Sequence, residues 1–349
     1  MILNFTVDNN TVQPVYKQVA QYLKECILSG AWEDGMRLPP EKELAAQLAI
    51  NRMTLRKSLH LLSMEGLLSR APSRGTFVSR KAERRIRIGI VVNSDREQPD
   101  LYLSRVLLET TFCISRYPNV EQVFVNEVDG ADKIAAGGCD ALLIVLRSNK
   151  LYEKLKDPAL DHLPMVFFNL YEKPLTGHRF SVSLDLSAVR SGVEYLQSAG
   201  HKKIAYISTE KVQIRNREFL NCAPPEAETH IAGEGKGYFQ TGFDAASEIC
   251  RRKERPSAIF VPGIGFAAGV WHGVTRCGLR IPEDISLLSF DSVSATFPAL
   301  STIDQPMRAM AEQAVELLIS SCNGTKYRKH QFFFAPIMND RGSIKKVNS

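Results

Sequence analysis

Residues 35–68 read GMRLPPEKELAAQLAINRMTLRKSLHLLSMEGLL, and this stretch decides the fold of the first quarter of the chain. Pro39 and Pro40 suit the start of a helix over 40–49, since proline there gives up only an N–H that would stay unpaired. Glu41 and Glu43 put negative charge at the positive end of that helix. Asn51 then reads as an N-cap, which predicts a second helix over 52–65 with Gly66 as its stop. The apolar side of that helix is Met53, Leu55, Leu59, Leu62 and Met64.

Working outward, residues 15–28 (VYKQVAQYLKECIL) carry a helical stripe of Val15, Val19, Tyr22, Leu23, Cys26 and Ile27. On the other side, Leu67–Arg70 and Thr76–Ser79 are short β-like pieces around the turn Pro72-Ser73-Arg74-Gly75. Three helices followed by a hairpin predict a winged helix-turn-helix over 1–80. From residue 86 the pattern changes. Apolar runs at 86–92, 122–126, 141–146, 165–168, 203–208, 258–262 and 285–290 alternate with amphipathic stretches near 102–116, 187–199, 241–252, 266–277 and 306–320. Near-continuous apolar strands between amphipathic helices predict an α/β fold with parallel sheets covered on both faces. The remaining length exceeds one typical sheet, so two lobes are expected. The domain reading is 1–80 for the winged helix, 81–88 for a basic linker, 89–340 for the two-lobed domain and 341–349 for a polar tail that frays.

The chain has 349 residues, of which 44% are hydrophobic, enough for real cores and against wholesale disorder. No apolar run is long enough to span a membrane, and MILNFTVDNN lacks the basic and apolar regions of a secretory signal. Seven scattered cysteines without a C-x-x-C pair argue against a disulfide framework or zinc ribbon and fit a reducing cytoplasm. The net charge of +6 is concentrated. Residues 1–80 contribute +3 and KAERRIRI at 81–88 contributes another +3, so the rest of the chain is neutral. A small basic domain beside a large neutral one points to a nucleic-acid reader joined to something else.

A helix entering the major groove needs polar or cationic side chains near its N-terminus, and Asn51, Arg52, Thr54, Arg56 and Lys57 supply them. Arg52 and Arg56 are four apart and share a face. Arginine pairs bidentately with the edge of guanine, Thr54 suits a thymine methyl or a phosphate, and Lys57 suits a phosphate. Arg74, Gly75 and Thr76 at the hairpin tip would carry a cation to the neighbouring minor groove. Taken singly, each of these is equally a solvated charge on an amphipathic helix. Taken in order, PVYKQVAQYLKECILSG at 14–30, the stretch at 35–68 and RGTFV at 74–78 resemble the GntR family of winged-helix regulators. The resemblance implies DNA contacts from Arg37, Lys42, Arg52, Thr54, Arg56 and the wing at Arg74 to Thr76. It departs at Pro40, where the family has serine, and at Asn51, where it has serine or threonine.

The second region resembles the effector domain of the LacI family, which has the periplasmic sugar-binding-protein fold. The carrying strings are SAGHKKIAYIS at 198–208, RPSAIFV at 255–261, GLRIPEDISLLSFDS at 278–292 and LSTIDQPMRAMAEQAVELL at 300–318. Ligands of open α/β sheets bind beyond the carboxyl ends of strands, and Asp291 follows such a strand. Arg215 occupies the family's arginine position. Tyr102 and Asn169 stand where the first lobe would contribute. Each competes with a plainer role: Tyr102 as a helix-start core residue, Asn169 as a turn residue, Asp291 as a loop cap. The departure that matters is Ile264, which stands where the family has an aspartate; Glu218 likewise replaces a glycine.

No H-E-x-x-H, Walker A, G-x-S-x-G or dinucleotide fingerprint is present, and none of the seven histidines has metal spacing. No enzyme activity, cofactor or metal is expected. The expected protein is a cytoplasmic, homodimeric transcription regulator, more a repressor than an activator. Its partners would be palindromic operator DNA and a small, sugar-like effector. Two other readings stay open: a DNA-binding regulator whose sensor only dimerises, and a sugar-binding protein with an incidental basic head.

Overall fold

The computed structural model describes residues 5–8, 11, 13–71, 75–79, 85–92, 101–126, 133–134, 137–145, 149–171, 175–233, 235, 237–291 and 297–347. In chain order, the head comprises α1 (Val15–Leu28), α2 (Glu41–Gln47), α3 (Arg52–Met64), β1 (Leu68–Ala71) and β2 (Gly75–Val78). The first half of the remainder holds β3 (Ile86–Val92), α4 (Leu101–Ile114), β4 (Val120–Asn126), β5 (Ala141–Val145), α5 (Asn149–Lys154), β6 (Met165–Phe168) and β7 (Arg179–Leu184). Then come α6 (Ser187–Ser198), β8 (Ile204–Thr209), α7 (Gln213–Cys222), β9 (Glu228–Ala232), α8 (Tyr238–Cys250), β10 (Ala258–Val261), α9 (Ile264–Arg276), β11 (Ser286–Phe290) and β12 (Ser301–Asp304). The chain closes with α10 (Met307–Cys322), β13 (Gln331–Phe334) and β14 (Ile337–Asn339).

The chain divides into two compact units, 1–182 with 307–332, and 183–306 with 333–349. In the first, the head is a three-helix core closed by a hairpin. Val19, Leu23 and Ile27 of α1 meet Leu44 of α2 and Leu55, Leu59 and Leu62 of α3 around buried Trp32. Their spacing of three and four residues puts them on single helical faces, so burial of these faces holds the head together. Met53 departs from the expected stripe. It is 63% exposed, because its position on α3 turns it away from Leu55 and Leu59. The β1–β2 register runs from Leu68 opposite Val78 to Ala71 opposite Gly75.

The rest of this unit is a parallel sheet in the order β13-β7-β6-β5-β3-β4. All of β5 and β6 is buried, as their uninterrupted apolar sequences require. Strand β3 starts at Ile86, three residues inside the stretch assigned to the linker. Ile86 and Ile88 are 1% and 0% exposed, so their burial draws the end of the basic run into the sheet. Residues 81–84 lie outside the described residues.

The second unit has the sheet order β14-β12-β11-β10-β8-β9, parallel except where β14 runs against β12. One face buries Val270, Val274, Ala246 and Ile249 of α8 and α9; the other buries Val189, Val193, Leu196 and Phe219 of α6 and α7. Helices α8 and α9 touch backbone to backbone. A Cβ at Gly269 would stand 2.0 Å from the carbonyl oxygen of Phe239, so no larger residue fits there. The polar tail does not fray over its described residues. The Ser343 hydroxyl donates to Leu287 O at 2.5 Å and accepts from Ser301 N at 2.7 Å, and Val347 N donates to Ala199 O at 2.7 Å. Backbone pairing, invisible in a polar composition, secures it.

Candidate functional site

The DNA-reading candidates lie on the head. Asn51 caps α3, its Oδ1 accepting the Thr54 N–H at 2.7 Å. Asn51 itself and Arg52, Arg56 and Lys57 are exposed, with Thr54 half-buried beside them. The cap and the buried Leu55–Leu59–Leu62 face fix the rotation of α3, so the cationic face is the one left to solvent. Arg56 is held by Glu41 of α2 at 2.6 Å, and the Lys57 ammonium stands 5.8 Å over the ring of Tyr16. Exposed Lys42 lies on α2. Pro40 stands at the N-cap position of that helix, where its carbonyl accepts from Glu43 and Leu44.

The structure also brings Arg37 to the wing. Arg37 bridges to Phe77 of β2, and a Cβ on Gly75 would meet Arg37 Nε at 3.0 Å. Gly75, at φ +115°, therefore serves both the turn and the close approach of that guanidinium. Thr76 is half-buried, its carbonyl accepting the Leu38 N–H at 2.8 Å. Arg74 lies outside the described residues.

The effector candidates fall two in each unit: Asn169 and Asp291 follow strands, Tyr102 lies at the start of α4 and Arg215 near the start of α7. In the first unit, Asn169 follows β6 with φ 54°, and its Nδ2 donates to the Tyr102 hydroxyl at 2.6 Å. The Tyr171 hydroxyl donates to Asn169 Oδ1 at 3.0 Å. Two residues predicted separately thus form one polar cluster, and Tyr171, which sequence reading missed, completes it. It lies three residues beyond the end of β6, past the left-handed Asn169, where strand alternation no longer predicts a side chain's direction.

In the second unit, Asp291 follows β11 at φ 55° and accepts from Gln305 through Nε2 at 2.9 Å and through the backbone N–H at 3.3 Å. Arg215, near the start of α7, donates through Nη1 to Pro262 O at 2.5 Å and lies 4.2 Å over the ring of Phe290. Thus β10, β11 and α7 converge on one edge. Ile264 is the first residue of α9 and packs against the core under that helix, so an apolar contact stands at the carboxylate position. Gln305, 1% exposed, was missed because glutamine after a strand carries no sequence signal of its own. Asn216, also missed, joins β8 to α7 by donating to Thr209 O at 2.8 Å.

Burial pushes the Cys113 and Cys250 thiols up to about 11, which keeps them as unreactive small core residues. Among the described residues, no group of three or more His, Cys, Asp or Glu has metal-binding geometry, and no helix is long and apolar enough to cross a membrane.

A capped cationic helix on a winged helix-turn-helix, joined to a pair of α/β sheets with polar strand ends, defines the class of DNA-binding transcription regulators with a sensor domain. Comparison with known proteins identifies the modules. Residues 15–78 match the model of bacterial regulatory proteins of the gntR family, and residues 193–344 match a periplasmic binding protein-like domain. The chain joins a GntR-family DNA-binding domain to a periplasmic-binding-protein-like domain.

The arabinose metabolism transcriptional repressor of Geobacillus stearothermophilus is 26% identical, over 96% of this chain and 98% of that protein. The HTH-type transcriptional repressor PurR of Vibrio atlanticus (strain LGP32) is 31% identical over 44% of this chain, a match spanning only 49% of that relative's length. The fold is shared with a LacI family transcriptional regulator from Enterococcus faecium solved with bound ribose. That match has a TM-score of 0.60 and 19% identity, and covers 75% of this chain and 100% of that one. The named relatives are repressors and not enzymes.

Proposed function

We propose that this protein is a cytoplasmic transcription repressor that binds a palindromic operator as a homodimer and is released or tightened on DNA by a small sugar-like effector. The carrying observation is the exposed face of α3, where Arg52, Thr54 and Arg56 stand free of the head's core behind the Asn51 cap. In this reading Arg52 and Arg56 take base edges, with Arg56 exchanging Glu41 for guanine. Asn51, Thr54, Lys42 and Lys57 take phosphates or thymine methyls. Arg37, Arg74, Gly75 and Thr76 form the wing contact. Tyr102, Asn169, Arg215 and Asp291 receive the effector. Relatives named for arabinose and ribose control, and a neighbour holding ribose, support a carbohydrate-like ligand.

Because effector and operator act on one molecule, each must change the other's affinity by the same factor. The test is fluorescence anisotropy of the purified chain on DNA from upstream of its own gene and neighbouring operons, at stated salt. A panel of pentoses, hexoses, uronic acids and sugar phosphates is added in turn. Specific binding that one compound shifts is the expected result. Absence of specific binding to any fragment, distant operators included, overturns the reading. Ile264 favours one second reading, a regulator whose sensor only dimerises. In that case operator binding is specific and no compound moves it.

A further inference from the structure

The charge balance at the strand edge of the second unit carries an inference about the ligand. Arg215 is the cation of that edge. Its guanidinium has five N–H donors, yet among the described residues its only hydrogen-bond acceptor is the neutral carbonyl of Pro262, and no carboxylate pairs with it. Glu218, one turn further along α7, is taken by Arg217 at 3.5 Å. Asp291 is occupied on both oxygens by Gln305. Ile264, where the family resemblance implies an aspartate, brings no charge to this edge.

Next to Arg215, helix α9 begins without a side-chain cap at Gly263. The carbonyl of Gly263 accepts from Phe266 and Ala267, while the N–H groups of Ile264 and Gly265 have no acceptor among the described residues. A 13-residue helix presents partial positive charge at this end. Thr209 supplies a separate observation. It is 1% exposed and its hydroxyl has no hydrogen-bond partner among the described residues. Strand β8 alternates, with Ala205 and Ile207 facing the α8–α9 layer, so Thr209 faces that layer too. Phe260 is in register with Tyr206; three residues further on, Thr209 ends β8 and Gly263 precedes α9. A buried donor without an acceptor costs free energy that a ligand oxygen would recover.

We propose that the ligand of this edge is an anionic polyol, a sugar acid or a sugar phosphate. Its charged group is received by Arg215, the Thr209 hydroxyl and the N-terminus of α9, and its hydroxyls by Asp291. The proposal rests on the reading of this edge as the effector site. A neutral sugar would leave the Arg215 charge and the α9 N–H groups without an acidic counterpart, whereas a carboxylate or phosphate satisfies all of them with charge-assisted bonds.

The experiment is isothermal titration calorimetry of the full chain with matched pairs. The pairs are D-galactose and D-galacturonate, D-glucose and D-glucuronate, D-glucose and its 6-phosphate, and D-ribose and its 5-phosphate. In at least one pair the anion is expected to bind about tenfold or more tighter than its neutral partner, as charge-assisted bonds imply. Its advantage should shrink as salt rises. The carboxylate pairs against the phosphate pairs tell which anion the edge takes. In Arg215→Gln the advantage should vanish while operator binding persists. In Ile264→Asp, which adds a carboxylate at the first residue of α9, it should fall or invert, with circular dichroism confirming the fold of both variants. Neutral sugars binding as tightly as their anions overturn the proposal and leave the sensing reading in place. No binding by any member, from a chain that still binds operator, overturns both.

Discussion

The head and the second unit assemble their candidate sites in opposite ways. In the head, Asn51, Arg52, Thr54, Arg56 and Lys57 come from seven consecutive residues of one helix start. Once the apolar face of α3 is buried, the direction of every polar side chain follows from helical geometry. In the second unit, Thr209, Arg215, Pro262, Phe290, Asp291 and Gln305 come from separate segments that only the sheet brings to one edge. The candidate site on the head therefore rests on a local cap and three exposed cations. The candidate site at the strand edge rests on the packing of the whole unit beneath it.

The largest expected effect breaks that contrast open. Phe260 is fully buried, stacked on Phe290 at 5.6 Å and edge-on to Tyr206 at 5.8 Å. Phe260→Ala should cost about 3–5 kcal/mol in the second unit. Urea unfolding followed by circular dichroism should show an early transition, with the head's transition unmoved. A single transition displaced as a whole would mean that head and second unit unfold together.

The next effect belongs to the head alone. Arg52→Ala and Arg56→Ala should each remove about 1–3 kcal/mol of discrimination between operator and mismatched DNA. Thermal stability should stay within about 0.5 kcal/mol, as for other exposed substitutions. Competition anisotropy measures the first and calorimetry the second. Uniform weakening on all sequences would reassign the two arginines to phosphate contacts.

A smaller effect sharpens the role of the cap. Asn51→Ala leaves the Thr54 N–H without its acceptor and should destabilise the head by about 1 kcal/mol, while Asn51→Asp retains most of it. Hydrogen exchange at the first turn of α3 reads this directly.

The smallest effect is a pH slope confined to the second unit. His201 is 1% exposed, with Nδ1 2.8 Å from the Ser257 hydroxyl. Burial lowers its pKa from the ordinary 6.5, opposed by a backbone hydrogen bond with Lys345. The folded chain thus binds this proton less readily than the unfolded chain. The stability carried by the neutral imidazole is complete above 6.5 and is lost as pH falls below that value toward the lowered one. Melting measured between these limits should show the slope in the parent and a flatter profile in His201→Gln.

Within the first unit, α3 of the head and α10 meet among the described residues. His60 on α3 meets Glu316 on α10 with Nε2 2.8 Å from the carboxylate. His60 is half-exposed at 41%, as a surface position on α3 requires, but its partner lies 256 residues away and no periodicity anticipates it.

Much of the fold was legible because its signals are local. The α3 cap, the apolar stripes of α1 and α3, and the largely apolar runs of β3, β5, β6, β8 and β10 each follow from spacing within a few residues. The misses have two causes. Strands β9 (ETHIA) and β13 (QFFF) and the bonded tail are mixed or polar and lie at sheet edges, where pairing with distant backbone holds them. Strands β7 (RFSVSL) and β12 (STID) lie inside their sheets, but their serines, threonine and charged ends hide the burial from the sequence. The exposure of Met53 is the same lesson in reverse, an apolar residue that periodicity assigned to the core and packing left outside.

The sequence by itself determined a winged helix-turn-helix ahead of two parallel α/β layers, the cation-rich helix start and the loss of a carboxylate at Ile264. Local capping, period and charge are sufficient for the first two, and the third is what the resemblance to the LacI family implies. Tertiary structure alone decided that Arg215 lies on Phe290 against a carbonyl, that Gln305 holds Asp291, and that the Thr209 hydroxyl is buried without a hydrogen-bond partner among the described residues. Those outcomes depend on strand order and register, which bring together residues that no short-range preference connects.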